Sequence, residues 1–99
     1  MARVIEFSRR STVQLQKILT FYDERNWSDD YSRRFLRCLL ADIQRLAQTP
    51  TSSSPSTRQD VRFFYLMGFT IIFRYNSKRL TVQSIRSSVR KPLKVYKNV

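Results

Sequence analysis

The chain reads as α+β in two layers: an antiparallel sheet of about four strands, ordered β-α-α-β-β-β, with an α-helical hairpin over one face. Three observations predict this. Apolar residues recur at helical spacing between residues 11 and 46, they alternate with period two from 60 to 86, and one Ser/Thr/Pro-rich stretch, "TPTSSSPST" (49–57), divides the two regimes. At 99 residues the whole chain, 1–99, is expected to be a single domain.

Residues 3–8, "RVIEFS", alternate with Ile5 and Phe7 on one side and read as a first strand. Ser11 opens "STVQ", a capping-box pattern, so the first helix is expected to start there. Leu15, Ile18, Leu19 and Tyr22 supply its buried stripe, and it should end near "DERN". Ser28 is the expected cap of a second helix, with Asp29 and Asp30 in the first turn where the helix dipole favours negative charge. Phe35, Leu39, Ile43 and Leu46 mark its inner face, Cys38 is expected to pack as a core thiol on that side, and Thr49-Pro50 stops it. The 49–57 stretch is expected as a flexible loop. Three strands follow, at 60–66, 69–75 and 80–86, turned by Met67-Gly68 and "NSKR". In the middle strand Phe69, Ile71, Phe73 and Tyr75 should meet the helices, leaving Thr70, Ile72 and Arg74 on an open face.

Charge is unevenly placed. The net charge is +12, and residues 58–99 hold ten basic side chains against one acid, net +9. Asp60 is the last carboxylate, and the basic tail at 91–99 continues without one. A surface so one-sided suits a polyanion or an acidic protein, whereas a face kept only for solubility usually mixes signs. The candidate contacts are Arg62, Arg74, Lys78, Arg79, Arg86, Arg90, Lys91, Lys94, Tyr96 and Lys97.

Composition also excludes chemistries. Histidine is absent, which removes His-based triads and imidazole acid–base pairs. One cysteine excludes an intramolecular disulfide and, without histidine, makes a zinc site untenable. The seven acids show no paired spacing for a metal nuclease, and a single glycine leaves no phosphate-cradling loop, so no metal and no cofactor is expected. The N-terminus lacks the apolar core of a signal peptide and no run reaches membrane-spanning length, so a cytoplasmic protein without membrane contact is expected. What remains can bind nucleic acid. It can also cut RNA without a metal, because the ribose 2′-OH supplies the nucleophile and guanidinium groups can stabilise the phosphorane.

The segments "FYDERNWSDDYSRRF" and "VRFFYLMGFTIIFRYNSKRLTVQSIR", with the "RKP" close, resemble the RelE/ParE superfamily of bacterial toxins over almost the whole chain. The resemblance implies the toxin of a type II toxin–antitoxin, or plasmid-stabilising, module neutralised by a cognate acidic antitoxin. RelE-like members are endoribonucleases that inhibit translation by cutting mRNA in the ribosome; ParE-like members poison DNA gyrase. For the nuclease reading, the resemblance places Arg62, Arg86 and Arg90 at the phosphorane and Tyr96 at the 2′-OH. Arg74, Lys78, Arg79, Lys91, Lys94 and Lys97 would then hold RNA. The spacing of Arg90 and Tyr96 in "RKPLKVY" resembles that branch. Two departures favour the gyrase alternative: Thr70 stands where the RelE pattern has a functional Arg, and no C-terminal His exists.

Overall fold

The computed structural model describes residues 3–88. The elements are β1 (Val4–Phe7), α1 (Arg9–Asn26), α2 (Asp30–Gln48), a 3-10 turn (Pro50–Ser52), β2 (Ser54–Pro55), β3 (Val61–Leu66), β4 (Phe69–Tyr75) and β5 (Arg79–Ser87). They form two layers, with both helices on one face of a sheet ordered β1-β5-β4-β3-β2.

The helical stripe of α2 packs as its spacing dictates. Phe35, Leu39, Ile43 and Leu46 are all buried, against Ile71, Phe73, Leu80, Val82 and Ile85 of the sheet. Each such side chain stabilises the fold by about 1.5–3 kcal/mol. Leu15, Ile18 and Leu19 of α1 close the side of this core. The two helices are pinned at their short connection, where Tyr22 stacks on Tyr31 at 4.1 Å and the Ser32 hydroxyl donates to Leu19 O at 3.1 Å. Cys38 is half-buried rather than fully inside.

The sheet departs from expectation in two respects. It has five strands, because β2 pairs with β3 through Ser54 and Pro55, so the 49–57 stretch carries a turn and a strand. It is also mixed: β3, β4 and β5 form the expected antiparallel meander, but β1 runs parallel to β5, with Ile5 beside Leu80 and Phe7 beside Val82. The two helices carry the chain from β1 to the opposite edge of the sheet at β2, and the meander then returns to β1 with β5, a connection long enough to allow the parallel pairing.

The first helix also starts earlier than the capping-box reading. Ser8, not Ser11, is its cap, accepting from Ser11 N at 3.1 Å. Ser11 is completely buried, and its hydroxyl lies 2.9 Å from both Ser8 O and Val82 O. Gln14 Oε1 accepts from Ile85 N at 2.7 Å. Gln14 thus satisfies β5 beyond the end of the short β1, while Ser11 adds a second donor to Val82 O, which also accepts from Ser8 N. For α2 the expected Ser28 hydroxyl does accept from Asp30 N, although Asp29 holds the cap position.

Between β3 and β4, Met67 and Gly68 have φ of 49° and 87°, a tight hairpin turn with both central residues left-handed. In β5 the partners jump from Ser84 opposite Ile72 to Val82 opposite Phe73, leaving Gln83 as an extra residue. This bulge lets Val82 and Ile85 both face the helices while Arg86 turns to the other side.

Candidate functional site

The face of the sheet turned away from the helices follows from the register. Because Ile71, Phe73, Val82 and Ile85 point into the core, their strand neighbours point outward. Three cross-strand rows result: Tyr65, Thr70 and Arg86; Phe63, Ile72 and Ser84; Val61, Arg74 and Thr81, with Glu6 of β1 beside Thr81. The Phe63 and Tyr65 rings meet edge to face at 5.6 Å, and the Thr70 and Ser88 hydroxyls bond at 2.8 Å. Tyr65 is 66% exposed.

The expected basic residues do not share one environment. Arg62 pairs in register with the buried Phe73 and therefore lies on the helix side. Its Nε donates to Ser53 Oγ at 3.2 Å, and its Nη2 donates to Thr51 O at 3.2 Å and to Ser53 O. Its guanidinium closes the turn between α2 and β2, with the sheet between it and Arg86. Arg74 stands on the open face, but its Nε donates to Asp60 Oδ2 at 3.1 Å, and Arg58 reaches the other Asp60 oxygen at 3.3 Å. The Arg74 hydrogen bond, helped by the charges of Arg58 and Arg74, holds the Asp60 carboxyl below the usual aspartate range. Arg79 is paired with Glu6.

Lys78 is exposed at the β4–β5 turn, where Asn76 Oδ1 accepts from the backbone N–H groups of Lys78 and Arg79. Arg86 is exposed and has no ion-pair partner among the described residues. Among the described residues, it is the one sheet arginine that faces outward without a carboxylate beside it. Arg90, Lys91, Lys94, Tyr96 and Lys97 lie outside the described residues.

Sequence reasoning passed over Phe63 and Tyr65. The signal was present: Phe64 and Leu66 belong to the core, so the odd-numbered residues of β3 must face out and Arg62 must face in. Among the described residues no three His, Cys, Asp or Glu side chains cluster to hold a metal, and no helix is long and apolar enough to cross a membrane.

No protein-family model and no curated protein matches the chain. Among solved structures, a chain of the "Chromosomal ParDE TA system from P. aeruginosa" matches with a TM-score of 0.70 at 18% identity. The match covers 87% of this chain and 96% of that one. This chain shares the fold of that chain. Within that fold, the mixed five-stranded sheet, the hairpin of α1 and α2 and the outward rows just described form one continuous scaffold. The sheet here presents aromatic and hydroxyl groups together with Arg86, in place of a cluster of converging guanidinium groups.

Proposed function

We propose that this chain is the toxin of a toxin–antitoxin module and that it acts as a ParE-like inhibitor of DNA gyrase, without cutting RNA. The fold shared with a chain of a ParDE system supports the module. One observation carries the choice of target: Arg62 is turned to the helix side and bonded to the 51–53 turn, while Arg86 stands on the opposite face. Metal-free RNA cleavage needs cations converging on one phosphate and a group that moves a proton to the leaving oxygen. The two arginines straddle the sheet, Arg74 is held by Asp60, and the chain has no histidine. A binding mechanism has no such requirement. Arg86, continued by Arg90, Lys91, Lys94, Tyr96 and Lys97 in sequence, supplies a basic contact for the target.

The proposed partner is an acidic antitoxin, drawn by the net +9 of residues 58–99 and folding against this chain as it binds. The bacterial cytoplasm is the corresponding site of action.

Two incubations of the purified chain test the reading. With gyrase and supercoiled plasmid, the expected product is trapped, double-strand-cleaved DNA. With programmed ribosomes, the mRNA should stay intact. Codon-positioned mRNA ends with normal gyrase turnover would overturn the proposal in favour of the RelE-like endoribonuclease. In that case Arg90→Ala together with Tyr96→Phe should abolish cutting.

A further inference from the structure

We infer that Ser52 is a phosphorylation site, with Arg45 and Arg62 arranged to hold the phosphoryl group. This goes beyond the toxin reading and does not rest on it, because the arrangement belongs to the turn that follows α2. Ser52 ends the 3-10 turn Pro50–Ser52 and is exposed. Arg45, in the last turn of α2, donates from Nη1 to Ser52 Oγ at 3.3 Å. Arg62, from β3, brackets the same residue, donating from Nη2 to Thr51 O and from Nε to Ser53 Oγ, each at 3.2 Å.

Three features select the modification and the residue. Two guanidinium groups reach one turn from different elements, and the sequence has no acid between Asp42 and Asp60 to answer them. Asp42 meets Arg45 at 3.6 Å, an exposed pair of small worth that can give way. Both arginines donate at this turn to neutral oxygens, where a phosphoryl group would offer three charged acceptors matched to their planar forks. Residues 49–57 carry seven hydroxyl groups, and among the described residues a guanidinium bonds two of them, on Ser52 and Ser53. Ser53 is half-buried and its hydroxyl donates to Pro50 O at 2.6 Å, so Ser52 is the accessible one.

The step needs a nucleoside triphosphate and a Ser/Thr protein kinase. Ser52 Oγ bonds to the γ-phosphorus as the bond from that phosphorus to the bridging oxygen breaks. The hydroxyl proton passes to the kinase's base, and the nucleoside diphosphate leaves. The product carries close to two added negative charges at pH 7, which join the end of α2 to β3 through Arg45 and Arg62.

Two measurements test the inference. Phosphoserine is installed during synthesis of the full chain at position 52, and in a control at position 56, where the hydroxyl bonds backbone groups instead. Phosphorus NMR then follows each titration. The group at 52 should titrate about one unit below the value near 6 usual for phosphoserine, and the group at 56 should stay closer to it. Arg45→Gln, at an exposed position, should remove part of the shift at 52, and Arg62→Gln a further part. Thermal midpoints check that both variants fold, and Arg45→Gln decides alone if Arg62→Gln does not.

In the second measurement the unmodified chain is co-expressed in bacteria with a Ser/Thr protein kinase, and the tryptic peptide spanning 46–58 is fragmented to place the phosphate. It should fall on Ser52 ahead of the other six hydroxyls and be lost in Ser52→Ala. Equal titration at 52 and 56, no change in Arg45→Gln, or a peptide unmodified at Ser52 each overturns the inference. Neither measurement involves gyrase, so failure here leaves that experiment untouched, and the reverse also holds.

Discussion

Arg62 shows how one side chain's direction decides between a structural and a chemical role. Its planar fork holds Thr51 O, Ser53 O and Ser53 Oγ together, which fixes the turn leading from α2 into β2. Arg62→Ala is expected to destabilise the chain by about 1–2 kcal/mol, the net worth of partly buried charge-assisted bonds. Arg62→Lys should recover less than half of that loss, because an ammonium cannot span two acceptors as a guanidinium does. Urea unfolding of the three proteins checks both values. A catalytic Arg62 would show the opposite pattern: wild-type stability with activity lost. The sequence held the clue in the parity of β3, since Arg62, Phe64 and Leu66 share one face. The same parity exposes Phe63 and Tyr65. The pairing of Arg74 with Asp60 was not legible, because the two are joined only once the β3–β4 register is known.

At the scale of elements, legibility followed the strength of the periodic signal. The α2 stripe and the β4 alternation were readable because many consecutive positions repeat one burial choice, and both are borne out. Strand β2 was not readable. Two residues carry no period, and their pairing is supported by a side chain from β3. The start of α1 was misjudged because Ser8 and Ser11 are both good caps. Only the position of β5 explains why Ser11 is swallowed and Ser8 takes the end.

Asp60 plays a comparable tying role at the start of β3, where it accepts from Arg74 of β4 and Arg58 of the preceding loop. Since its folded pKa lies below the unfolded value, the contribution is present above the ordinary aspartate range and is lost as pH falls through the depressed value. Asp60→Asn should therefore unfold at a lower temperature than wild type at neutral pH. The gap should close as pH drops below about 4. A gap that persists or widens in acid would mean that the ion pair is not its source.

Over the described residues, six of the seven acids are engaged internally, and the acids are too few to match the basic groups. Asp29, Asp30, Asp42, Asp60 and Glu6 each face an arginine, and Asp23 accepts from Ser32. Rearranging side chains therefore cannot neutralise a net +12, and repulsion acts across the compact state. Added salt has two opposed effects. It weakens these exposed pairs, each of small worth, and it screens a repulsion that every basic group feels. The long-range term should dominate, because the basic groups outnumber the acids 19 to 7. The thermal midpoint of the free chain is thus expected to rise by a few degrees between about 20 and 200 mM NaCl, as the Debye length shrinks from roughly 20 to 7 Å. The association rate with the proposed acidic antitoxin should fall over the same range, because the field that strains the free chain is the one that steers the partner in. Calorimetry and stopped-flow mixing at matched salt read the two quantities. If both move in the same direction, a single uncompensated field is not what governs them.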